Sequence, residues 1–105
     1  MRATFQEGVL QQLRESGSDL TKPHVFEFYL YFATRPLAVK AADKIRQSGF
    51  SAAGVSRSAS GDAWLCVAKK TLVPGKADFG DHARFFEQIA AVLSGEFDGW
   101  EAEVV

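Results

Sequence analysis

Residues 24–32, His-Val-Phe-Glu-Phe-Tyr-Leu-Tyr-Phe, constrain the fold of this chain more than any other stretch. The run is rich in aromatic residues, contains neither Gly nor Pro, and therefore reads as a strand. Side chains alternate across a strand, so Phe26, Phe28, Leu30 and Phe32 share one face, and Val25, Glu27, Tyr29 and Tyr31 share the other. Only the first set is an uninterrupted core face. The chain must therefore build a sheet whose one side is buried and whose other side is covered in part or left for a partner.

The remaining elements follow from periodicity and punctuation. Phe5, Val9, Leu10 and Leu13 recur at helical spacing within residues 3–15, and Gly17 is a stop. "TRPLAVKAADKIRQSGF" predicts a helix opened by Thr34 or Arg35, with Pro36 in its first turn and Leu37, Ala38, Ala41, Ala42 and Ile45 inward, closed by Gly49. "FSAAGVSRS" is a weaker strand, "SASGD" a hairpin turn and "DAWLCVAKKTLV" a central strand. Asp78 can cap a further helix whose stripe is Phe79, Ala83, Phe86, Ile89, Ala90 and Leu93, with Gly95 at its end and a last strand in "FDGWEAEVV". After the first helix the order is βαββαβ. This predicts an α+β, ferredoxin-like domain: a four-stranded antiparallel sheet with two helices on one face and an additional N-terminal helix. The expected boundaries are 1–17 for that helix and 24–105 for the core, within one domain spanning 1–105. The first and third strands should be central, with the fourth at an edge beside the first.

Chemistry is sparse. The single cysteine, Cys66, sits mid-strand and predicts a buried, inert thiol; no disulfide framework or zinc set is possible with it, and the cytoplasm fits best. No apolar stretch approaches the ~18 residues that cross a bilayer, and no secretory h-region follows Arg2. His82, beside Asp81 and near Asp78, reads as a solvated helix residue, and His24 has no sequence partner; the two form no metal-ligand pair. The glycines match no phosphate-binding loop, so neither a cofactor nor an enzyme is expected. Net charge is −1, which gives no general attraction to nucleic acid. RNA-recognition motifs share this topology, and Tyr29, Tyr31 and Trp64 could imitate their stacking platform. However, "GDAWLCVAKK" does not match the RNP1 pattern, and the acidity would repel phosphate. The ordinary alternative for those aromatics is cover by the N-terminal helix.

The charge is uneven. Residues 1–52 carry seven Lys and Arg against five Asp and Glu, whereas 53–105 carry five against eight. The last eleven residues hold Phe97, Trp100, Val104 and Val105 among Glu96, Asp98, Glu101 and Glu103, with no base. Acids on an edge strand discourage stray pairing, and Trp is a frequent interface anchor, so this segment can close the sheet and also be read by a partner.

Several motifs carry a resemblance. "GSDLTKPHVFEFYLYF", "AADKIRQSGF", "WLCVAKKTLVP" and above all "GEFDGWE" occur in the order found in the regulator of ribonuclease E activity B family, which this chain resembles over nearly its whole length. The resemblance implies a ferredoxin-like, non-catalytic inhibitor that binds ribonuclease E, involving the enzyme's C-terminal scaffold region, and so alters RNA turnover. The residues it singles out are Asp98, Trp100, Glu101 and Glu103, with Tyr29 and Tyr31 as neighbours. A ligand-binding or self-associating ferredoxin-like domain is the alternative, and the oligomeric state is open between monomer and dimer.

Overall fold

The structure, a computed structural model, describes residues 5–52 and 54–105. Its elements are α1 (Phe5–Glu15), β1 (His24–Phe32), α2 (Arg35–Gln47), β2 (Ser51–Ala52), β3 (Ser56–Arg57), β4 (Trp64–Leu72), α3 (Phe79–Val92) and β5 (Glu96–Ala102). The strands form one antiparallel sheet in the order β2-β4-β1-β5, and β3 also pairs with β4. This is the expected α+β arrangement, with β1 and β4 central and β5 at an edge beside β1. Residues 1–4 of the expected first helix, bounded at 1–17, lie outside the described residues.

The two central strands pair along their full length, from His24 opposite Leu72 to Phe32 opposite Trp64. Phe26, Phe28, Leu30 and Phe32 are fully or almost fully buried, and Cys66 and Ala68 of β4 join them on the same face. Against that face α2 lays Ala38, Ala41, Ala42 and Ile45, and α3 lays Phe79, Phe86 and Ile89. Alanines let α2 approach the sheet closely, while α3 supplies bulk: Phe86 stacks on Phe28 with ring centroids 4.8 Å apart, and Phe79 lies 4.9 Å from Phe26. The caps are those of the sequence. The Thr34 hydroxyl accepts from the Leu37 amide, and the Asp78 carboxylate accepts from the Asp81 amide at 2.9 Å.

Three local features differ from expectation. The weak second strand is two short pieces, β2 and β3, whose registers against β4 differ by one residue; small residues and Gly54 give this stretch no alternating face to hold a continuous ladder. Ala53, between them, lies outside the described residues. The N-terminal helix does not cover the tyrosine face. It packs on α3, burying Val9 and Leu13, with Phe5 6.1 Å from Phe97 and the Gln6 side chain bridging the Ala77 carbonyl and the Phe79 amide at the start of α3. An amide at that position satisfies one of the orphan donors of α3.

At the end of α3 the left-handed residue is Ser94 (φ 54°), not Gly95. Gly95 is required for space: a Cβ there would lie 2.4 Å from the Phe32 ring and 2.5 Å from the Tyr31 carbonyl oxygen. Gly95→Ala is therefore expected to destabilise the fold by about 1–3 kcal/mol through overpacking. Gly8→Ala, within α1 and with open space around its Cβ position, should stabilise it by about 0.5–1 kcal/mol. Urea denaturation of the two variants checks both signs.

Candidate functional site

The side of the sheet away from the helices is built by the second parity of β1 and its neighbours. Register places Val25 opposite Thr71, Glu27 opposite Lys69, Tyr29 opposite Val67 and Tyr31 opposite Leu65. On the other flank Glu27 faces Glu101 and Tyr31 faces Glu96. Tyr29, Tyr31, Leu65 and Val67 are half-buried, and Val25 is exposed. The result is a column of carboxylates on β5, a column of aromatics on β1 and aliphatics on β4.

A bulge shapes the β5 flank. Phe28 pairs with Trp100 but Leu30 pairs with Phe97, so two residues, Asp98 and Gly99, stand against the single Tyr29. Gly99 takes φ 99°, which a side chain would strain. Phe97 and Trp100 are three residues apart and would otherwise project to opposite sides. The extra residue brings both toward the core, Trp100 with its ring 5.7 Å from Phe26 and Phe97 with its ring 5.4 Å from Phe86. Beyond the strand, the Asp19 amide donates to the Val105 carbonyl and the Val105 amide donates to the Ser18 hydroxyl, so this segment is also held to the turn after α1.

The structure brings five of the six sequence-derived candidates into one shallow depression, lined by Tyr29, Tyr31, Asp98, Trp100 and Glu101. Glu103 lies past the end of β5 and lines the adjoining depression with Val25, Glu27, Glu101 and Ala102. Trp100 spans the two roles: it borders the depression while its ring packs on the core. Glu27 is the member that motif reading missed, although its parity with Tyr29 and Tyr31 placed it on this face.

Tyr29 organises the charges. Its hydroxyl donates to Glu101 at 2.9 Å and lies 3.5 Å from Glu27. Partial desolvation, then the bond to Glu101 and the charges of both carboxylates, pushes the phenol up to about 12, so it remains a donor. Trp64 is elsewhere. It shares the parity of Cys66 and Ala68, partners Phe32, and packs against the core with the Arg57 guanidinium 5.2 Å above it. The three-aromatic stacking platform of an RNA-recognition motif is therefore not assembled.

The remaining reactive groups pack into or against the core. Burial pushes the Cys66 thiol up to about 11, which keeps it protonated and unreactive. His24, for which the sequence shows no partner, is fully buried, with Nδ1 2.7 Å from the Lys22 carbonyl, which fixes that nitrogen as the donor. His82, expected in solvent, is half-buried among Phe28, Phe50 and Phe79, edge-on to Phe50 at 5.3 Å. It lies on the α3 stripe, three residues after Phe79 and four before Phe86, and that spacing was the available signal. Burial, with the nearby Lys70 charge, lowers its pKa below 6.5 against the opposing pull of Asp81 and Asp78.

Fold and site together define a small α+β domain in which, among the described residues, no helix covers the acidic and aromatic face of the sheet. The family model described as regulator of ribonuclease activity B matches residues 4–102. The chain belongs to that family of ribonuclease regulators. A search against curated proteins finds no match. No helix among the described residues is long and apolar enough to cross a membrane.

Two outcomes are expected. Trp100→Ala should cost about 2–3 kcal/mol by chemical denaturation, less than a fully buried aromatic because the ring is only half-buried, whereas Glu101→Gln should change stability by under about 0.5 kcal/mol. For His82, the unfolded chain takes up a proton below about pH 6.5 that the folded chain resists, so stability falls as pH drops through that value. His82→Gln should flatten the stability profile between pH 7 and 5.

Proposed function

We propose that the protein is a non-catalytic inhibitor of ribonuclease E that acts in the cytoplasm, binding the enzyme's C-terminal scaffold region and slowing RNA turnover. The observation that carries this reading is the family match over residues 4–102 in a chain whose described residues place no covering layer on one face of the sheet. Asp98, Glu101, Glu103, Tyr29 and Tyr31 touch the enzyme. Trp100 acts by holding β5 against the core, and its loss weakens binding chiefly by disordering that strand. No bond in RNA is made or broken by the regulator itself. Its effect comes from occupancy of the enzyme.

Calorimetric titration into full-length ribonuclease E, alongside cleavage of a fluorescent RNA by the same enzyme, tests the reading. Binding that weakens with added salt, and cleavage that slows with occupancy, are expected. Asp98→Ala with Glu101→Gln should weaken both by roughly tenfold or more. An enzyme that neither binds the protein nor changes rate in its presence overturns the proposal.

A further inference from the structure

We propose that the open face of the sheet is a docking surface for an extended polypeptide segment that carries arginine two residues from an aliphatic or aromatic side chain. The inference rests on the reading above that this face meets a protein, and it names the chemistry of the segment that is met.

Charge selects the class of partner. Glu27, Glu96, Asp98, Glu101 and Glu103 gather on this side, and Lys69 is the cation registered among them. A phosphodiester backbone would be repelled. A second copy would bring a face of the same net sign, so self-pairing that stacks the two acidic columns opposes like charges. A cationic chain has neither penalty.

Geometry selects arginine. Glu27 stands between Glu101 on β5 and Lys69 on β4, so two carboxylates meet side by side and one lysine offsets only part of their charge. The single Tyr29 hydroxyl proton bonds Glu101 and cannot also serve Glu27 fully. A guanidinium presents five donors in one plane, can bridge both carboxylates, and can lie on a tyrosine ring, whereas an ammonium offers no plane to stack. The apolar half of the face lies beside it: Val67 and Leu65 are one strand further on, opposite Tyr29 and Tyr31. Directly across β4 from Glu27 is Lys69, so the apolar level is reached along the strands: Tyr29, flanked by Val67, is the next residue of this face after Glu27, and a segment running along β1 covers that step with two residues of extended chain at about 3.3 Å each.

The test uses synthetic dodecapeptides with Arg and Leu at i and i+2, and matched peptides in which Lys replaces Arg or Ser replaces Leu, titrated into the full chain and followed by amide chemical shifts and fluorescence anisotropy. The Arg-Leu peptide is expected to shift the amides of Glu27, Tyr29, Val67 and Glu101. Each replacement should weaken binding by roughly fivefold or more, as should Glu27→Gln with Glu101→Gln. That double variant removes a like-charge pair, and a melting temperature no lower than that of the parent shows that the fold is intact. Equal affinity for Arg and Lys peptides, shifts confined to the helical side, shifts that appear on raising the concentration of the protein alone, or preferential binding of single-stranded RNA to this face would each overturn the inference. Ribonuclease inhibition without peptide binding would sink this proposal and spare the regulatory one; peptide binding without inhibition would do the reverse.

Discussion

Period-two alternation in β1 is the constraint from which the rest of the structure follows. Four large apolar side chains on one parity demand a helical layer, and α2 and α3 supply it with complementary shapes, alanines at close range on one side and phenylalanines on the other. Because β1 is central, its second parity is carried into the middle of the opposite face. Glu27, Tyr29 and Tyr31 are therefore set between β4 and β5 instead of at a margin. One strand thus determines both what the core is made of and what the surface offers.

The bulge at Gly99 reconciles β5 with that demand. An unbroken strand would turn either Phe97 or Trp100 away from the core, and a short edge strand has few other residues with which to hold its place. Inserting one residue at positive φ lets both rings pack, and it also leaves Asp98 and Glu101 on the tyrosine side. The Asp-Gly-Trp motif is therefore divided by residue. Gly99 and the Trp100 ring serve the strand, and Asp98 serves the surface. The terminal segment both closes the sheet and bounds the exposed face because these tasks fall to different side chains.

Most of the fold was legible because its signals are strong and local: an alternating aromatic run, a Thr-Arg-Pro helix start, an aspartate cap and a six-membered apolar stripe. Where reading failed, the deciding contact was distant in sequence. Cover by α1 could not be judged from its own periodicity, since Gln6 and Phe5 meet residues more than seventy positions away. Gly95 looks like any helix stop until Phe32 is brought against it. His82 was misplaced although its spacing was readable, because its polarity outweighed its position on the stripe. The candidate site was half legible: β5 acids and β1 tyrosines were visible as separate motifs, but the union of Glu27 with Glu101 needs the β1-β5 register.

That register bears on why the face is acidic at all. Carboxylates on β5 have an ordinary explanation, since a charged edge discourages pairing with other chains. Glu27 has no such explanation. It lies on a central strand, hydrogen-bonded on both flanks, where there is no edge to protect, and it stands directly opposite a second glutamate. Lys69 on its other flank offsets one of the two carboxylates, and the pair keeps a net negative charge. Edge protection accounts for part of the acidic column, and helix packing accounts for none of Glu27. The residual charge at the centre of the sheet is the feature on which the proposed arginine contact rests.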